Sequence, residues 1–141
     1  MSAATTYTIE NVLNALLRGG AFQAPTNVYI ALHTGDPGDN GANEVTPAEW
    51  PSYVRLDSAD GGTLAAAWSD PAVDNGESLN QIQRIYPVFN GPAPLIVSHF
   101  SLWDAASGGN CLLGAALTTA RQINSADVFV VDTEKLTARL T

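Results

Sequence analysis

Two histidines, His33 and His99, one cysteine, Cys111, and a run of carboxylates between residues 36 and 77 are the side chains of this sequence that could do chemistry. A histidine pair can ligate a metal or pass a proton, but ligand pairs recur at short spacings such as HxH or HxxxH, and these two lie far apart in the chain. Each reads as a structural histidine with one ring nitrogen hydrogen-bonded. His33 opens an acidic loop, so Asp36 or a loop carbonyl is its expected partner. Asp36, Asp39 and Asn40 in that loop raise calcium, yet an EF-hand counted from Asp36 has Gly38 at its third position and Pro47 at its twelfth, where oxygen ligands are required. The loop therefore reads as solvated turns, with a loop-type calcium site of another kind as the alternative.

Nucleophilic chemistry fares no better. No Gly-x-Ser-x-Gly elbow is present, and Ser107-Gly108-Gly109 falls where a hairpin is expected. Cys111, followed by Leu112 and Leu113, reads as a buried, inert thiol. No glycine-rich phosphate loop precedes a helix. In so acidic a chain a carboxylate pair for glycoside hydrolysis, as in a small hydrolase of cell-wall glycans, stays an open alternative, though a small domain offers no obvious cleft for it. The side chains assign no catalytic residue, cofactor or metal, and point to a non-enzymatic structural or binding protein.

The elements that must carry these residues follow from composition and periodicity. The chain has 141 residues, 14 acidic and 6 basic, a net charge of −8 and 45% apolar residues. Such a length fits a single domain, residues 1–141, with a real core. The charge argues against gripping nucleic acid through its phosphates. No apolar run approaches the ~20 residues of a membrane span, and the first eight residues have neither the basic nor the apolar region of a secretory signal. An acidic protein made in a cytoplasm, with no membrane partner, is expected.

Ile9, Val12, Leu13, Leu16 and Leu17 share one helical face, which predicts a helix over 8–18 with Thr8 as N-cap, Glu10 in the first turn, and Gly19-Gly20 as terminator. From about residue 26 onward the alternation is that of strands. Strands are expected at 27–33, 52–57, 63–69, 81–89, 95–103, 111–117, 127–132 and 135–140, separated by turn-forming residues. In 95–103, Ile96, Phe100 and Leu102 are expected on one face and Leu95, Val97 and Trp103 on the other. The fold class is mainly β: an antiparallel β-sandwich or jelly roll with one N-terminal α-helix.

Trp50, in Ala48-Glu49-Trp50-Pro51, is either an exposed anchor for a partner or a sugar, or a ring folded back over the sandwich. Glu44 and Arg55 are a candidate ion pair tying the far end of the acidic loop to the following strand, worth ~0–1 kcal/mol if exposed.

Several of these residues resemble a recurring pattern of tailed bacteriophages. Val28 through Gly38 (VYIALHTGDPG), followed by Asn43-Glu44-Val45, Tyr53-Val54-Arg55 and the Trp103-to-Leu113 stretch (WDAASGGNCLL), is similar to a family of small virion proteins known as tail-fibre or head-decoration proteins. An N-terminal helix with Asn11-Val12-Leu13 fits the same order. The stiffer stretch from Thr46 to Pro51 departs from the small residues usual there, and 71–94 has no match. The family carries no catalytic residues to transfer.

The resemblance implies a structural protein of the virion: a capsid decoration or cement protein, or a head- or tail-fibre component. The alternative is a carbohydrate- or receptor-binding module of a phage tail. The implied partners are the major capsid protein or other virion proteins, with homo-oligomerisation by analogy. The segments expected to make contact are the helix and the 34–44 and 47–51 loops, with Leu13, Leu17, Asp36, Pro37, Glu44, Trp50 and Arg55 as interface residues.

Overall fold

The computed structural model describes residues 2–140. Five strands form an open antiparallel sheet in the order β1-β7-β6-β2-β3, and two two-stranded ribbons, β4-β9 and β5-β8, complete a mainly β, sandwich-like fold that does not close into a barrel. In chain order the elements are β1 (Ser2–Ala4), α1 (Thr6–Arg18), β2 (Tyr29–His33), β3 (Leu56–Asp57), α2 (Leu64–Ala67), β4 (Ser78–Leu79), β5 (Arg84–Ile85), β6 (Leu95–Trp103), β7 (Cys111–Ile123), β8 (Val130–Val131) and β9 (Thr137–Ala138).

The central strand is β6, paired to β2 on one side and β7 on the other. Its inward residues depart from simple alternation. Leu95 and Val97 join the main core together with Phe100 and Leu102, while Ile96 is exposed. The cause is a break in register between Val97 and His99, which inverts the parity of the strand. At that break Val97 pairs with Arg121 and His99 with Ala116, so residues 117–120 of β7 arch past Ser98 alone.

The main core lies between this sheet and the ribbons, where Tyr86, Phe89, Phe129, Val131 and Leu136 meet Ile30, Leu32, Val97 and Phe100. The opposite face of β2 is buried too. Ala31 packs there with Trp103 and Cys111 under the loop that follows β2.

The helix starts two residues earlier than its periodicity predicts. Thr5, not Thr8, is the N-cap: its Oγ1 accepts the Thr8 N–H while donating to the Cys111 carbonyl at 2.6 Å, and Thr8 Oγ1, inside the first turn, donates to the Leu112 carbonyl at 2.7 Å. No acid lies in the first turn of α1. That place is taken from outside the helix, since Asp39 Oδ1 accepts the Thr6 N–H at 2.8 Å and Oδ2 accepts the Thr6 hydroxyl. Gly19, at φ 68°, closes the other end.

Residues 63–69 form no strand. The run Leu64-Ala65-Ala66-Ala67 takes a helical turn capped by Thr63, as alanine favours. The strand expected over 81–89 shrinks to β5. Tyr86 and Phe89 still donate their N–H groups to the Phe129 and Asp127 carbonyls, but Pro87 between them has no N–H to give. The strands expected at 52–57, 127–132 and 135–140 likewise contract to β3, β8 and β9.

Candidate interaction surface

The side chains with chemical potential converge on the face of β2 beneath the 34–44 loop, and there they build structure. Arg55 is the hub. Its Nε and Nη2 donate to the two Glu44 carboxylate oxygens at 2.8 Å each, its Nη1 donates to the Ala105 and Gly108 carbonyls at 3.0 and 2.8 Å, and its guanidinium carbon lies 3.7 Å from the centre of the Trp103 ring. The Arg55 side chain is only 8% exposed and that of Glu44 22%, so this is an enclosed bidentate pair and not the exposed one worth ~0–1 kcal/mol; losing either partner would strand the other charge. Tyr53 extends the cluster. Its hydroxyl donates to Glu44 Oε1 at 3.1 Å and accepts the Leu32 N–H at 3.0 Å. Burial, then the Glu44 charge, raises that phenol far above its ordinary pKa.

His33 is fully buried in the same region. Its Nδ1 faces the Ala42 carbonyl at 2.8 Å and its Nε2 the Ser101 hydroxyl at 2.6 Å, while Trp103 Nε1 donates to that hydroxyl at 2.7 Å. A carbonyl only accepts and an indole only donates, so the proton is assigned to Nδ1 and Ser101 donates to Nε2. The imidazole is neutral in this arrangement, and burial holds its pKa below the ordinary value. The loop carbonyl is therefore its partner, not Asp36. His99 pairs in register with His33 but bonds its neighbour, Ser98 Oγ, at 2.8 Å. Burial pushes the Cys111 thiol up to about 11, too high for a nucleophile at neutral pH.

The carboxylates of the acidic loop are spent locally. Asp36 Oδ1 accepts the Gly38 N–H at 2.9 Å, and Asp39 holds the start of α1. The bonds from Thr6 keep the Asp39 carboxyl below its usual range. Among the described residues, no three His, Cys, Asp or Glu side chains gather as a metal site.

Trp50 is the largest fully buried side chain. Its ring lies 5.4 to 6.0 Å from those of Tyr53, Tyr86 and Phe89, and its Nε1 donates to Ser52 Oγ at 3.1 Å. It is a core residue, and the expectation of Trp50 as a surface contact is corrected. The bulky stretch that departs from the family's small residues delivers this ring inward. Pro37 is buried as well, against Gly114 of β7, where a Cβ would come within 2.5 Å of Pro37 Cγ. Arg55 is enclosed and Glu44 half-buried. Of the seven expected interface residues, Leu13, Leu17 and Asp36 remain at the surface.

The surface that does stand open is α1. The helix is amphipathic, yet none of its residues is buried. Ile9 and Leu13 are 43% and 49% exposed, Leu16 and Leu17 74% and 78%. Leu140, 60% exposed, joins Ile9, Val12 and Leu13 along an apolar groove. A second apolar groove, of about 240 Å³, runs under Tyr7 and Phe22 toward Trp68 and Leu102. The periodicity of α1 exposes this stripe in the sequence. The parts of the surface that sequence reasoning missed are Leu140, which alternation would have turned inward, and Asp39 as the anchor of the helix.

No helix among the described residues is long and apolar enough to cross a membrane. No curated protein matches the sequence. A family match does, and it runs over residues 3–139, thus including the helix, the latch around Arg55 and both ribbons. The chain belongs to the family described as podophage GP4 fiber I protein gp80, a family of phage fibre proteins and hence of virion components.

Proposed function

We propose that this chain is a non-enzymatic structural component of a podophage fibre that works through protein–protein contacts made by α1. The observation that carries this reading is the apolar face of α1: an amphipathic helix ordinarily buries its stripe, and this one keeps Leu13, Leu16 and Leu17 in water. A fibre protein needs such a surface to join its neighbours. The partners on this reading are other virion proteins, with the major capsid protein among them if the fibre is rooted on the head. The reactive groups support the same conclusion, since His33, Cys111 and the Glu44–Arg55 pair are all engaged in holding the fold.

Cryo-electron microscopy of purified virions tests the proposal, with a Leu16→Glu/Leu17→Glu phage alongside. The expected result is density for this chain in fibres of the wild-type particle and its loss in the variant. Virions that lack the chain, or variant particles with a full set of fibres, would overturn it. A regular distribution over the shell would instead assign a decoration role.

A further inference from the structure

We infer that Asn40 is a site of spontaneous covalent modification, at which the folded chain deamidates through a succinimide and leaves isoaspartate in the 34–44 loop.

The sequence holds three Asn-Gly steps, Asn40-Gly41, Asn75-Gly76 and Asn90-Gly91, and all three asparagines are exposed. A glycine after asparagine leaves the peptide nitrogen unshielded, so that it can reach the side-chain carbonyl carbon. Sequence does not rank the first two, since an aspartate precedes each, Asp39 and Asp74. Their hydrogen bonds do. The Gly76 N–H is held by the Pro71 carbonyl at 2.8 Å, which keeps that nitrogen from turning on Asn75. Asn90 is held by its side chain, whose Oδ1 accepts the Ser52 N–H and the Ser52 hydroxyl, each at 3.0 Å. At Asn40 both reacting groups are free to meet. Among the described residues neither its side-chain amide nor the Gly41 N–H has a hydrogen-bond partner.

The reaction needs water alone. The Gly41 nitrogen attacks Asn40 Cγ and forms a new C–N bond, its proton passing through water to the side-chain nitrogen, which leaves as ammonia. Water then opens the five-membered ring at one of its two carbonyls. Opening at Cγ restores the peptide bond and gives aspartate. Opening at the main-chain carbonyl breaks the original peptide bond and gives isoaspartate, with the chain routed through the side chain. No oxidation or reduction occurs.

Isoaspartate lengthens the main chain by one carbon where there is no slack. Gly41 already lies so close to Trp103 that a Cβ would collide with the ring. One residue on, the Ala42 carbonyl faces His33 Nδ1 at 2.8 Å, and Glu44 holds Arg55; one residue back, Asp39 holds the start of α1. The modification therefore strains the latch and the helix anchor together. A virion component is not renewed after assembly, so the product accumulates with the age of the particle.

Ageing the full-length protein in mildly alkaline buffer, with peptide mapping by mass spectrometry and enzymatic methylation of isoaspartate, tests this. The amide-to-acid mass gain is expected first at Asn40, with Asn75 and Asn90 slower by about tenfold because each must first break a hydrogen bond. In urea the rates at Asn40 and Asn75 should converge. Melting temperature should fall as isoaspartate accumulates, and Asn40→Gln should hold it steady over the same period. Asn40→Asp, which gains the charge without the extra carbon, should start close to the unaged wild type. Equal rates at the three sites in the folded protein, or a faster reaction at Asn75 or Asn90, would overturn the inference. A melting temperature indifferent to isoaspartate at Asn40 would overturn its link to the latch.

Discussion

Arg55 stacks on Trp103, the last residue of β6, with its guanidinium carbon 3.7 Å from the ring centre. Glu44 and the Ala105 and Gly108 carbonyls complete the coordination, so three separate stretches of chain share a single guanidinium. Removing it leaves a mostly enclosed carboxylate with no counter-charge. Arg55→Ala is expected to cost about 3 kcal/mol, since Glu44 retains some water contact, and Arg55→Lys is expected to recover little because an ammonium cannot hold the carboxylate with two parallel bonds while lying on the indole. Urea unfolding checks both, and Glu44→Gln/Arg55→Met should lose less than the two single changes added.

Gly41 sits at φ +71°, and a Cβ there would enter the Trp103 ring. Gly41→Ala combines a left-handed backbone with a collision, for an expected loss of about 2–4 kcal/mol. Thermal unfolding should show the drop, and Trp103 fluorescence should shift as the loop lifts from the ring.

Acid should weaken the fold in two separate windows. The unfolded chain protonates His33 near its ordinary pKa of 6.5, whereas burial keeps the folded imidazole neutral to lower pH. Protons then favour the unfolded state, so this contribution is complete above pH 6.5 and drains away as pH falls toward the folded value, by at most about 1.4 kcal/mol per pH unit. Asp39, depressed by its bonds to Thr6, adds a later loss as pH falls below its usual 3.8. Melting temperature measured from pH 7 to 3 should fall in both windows. His33→Gln should flatten the first and leave the second.

Trp50→Ala should act as a core truncation, destabilising by about 3–5 kcal/mol. If the ring served instead as a glycan platform, the substitution would abolish binding with little effect on stability. A glycan array together with a denaturation curve separates the two outcomes.

The sequence carried the strong elements and missed the thin ones. The Tyr29–His33 and Leu95–Trp103 strands and the helix are visible in their periodicity, and the Glu44–Arg55 pair in the opposite charges at the end of the acidic loop and on the stretch that follows it. The side chosen by each residue of β6 was not, because a single register break reverses parity and leaves no mark in an alternation count. The 63–69 turn was misread because alternation outweighed alanine's helix preference. Trp50 shows the limit most plainly: a Pro-flanked ring in an acidic stretch reads equally well as exposed or enclosed, and the decision lies with Tyr53, Tyr86 and Phe89, which come from two separate parts of the chain.

The arch of residues 117–120 in β7 has a practical use. Four residues there already escape the ladder while the pairs on both sides keep their partners, so extra length has somewhere to go. A short tag spliced between Thr118 and Thr119 should leave the melting temperature unchanged, which would make this arch a site for grafting labels or foreign peptides onto the assembled particle.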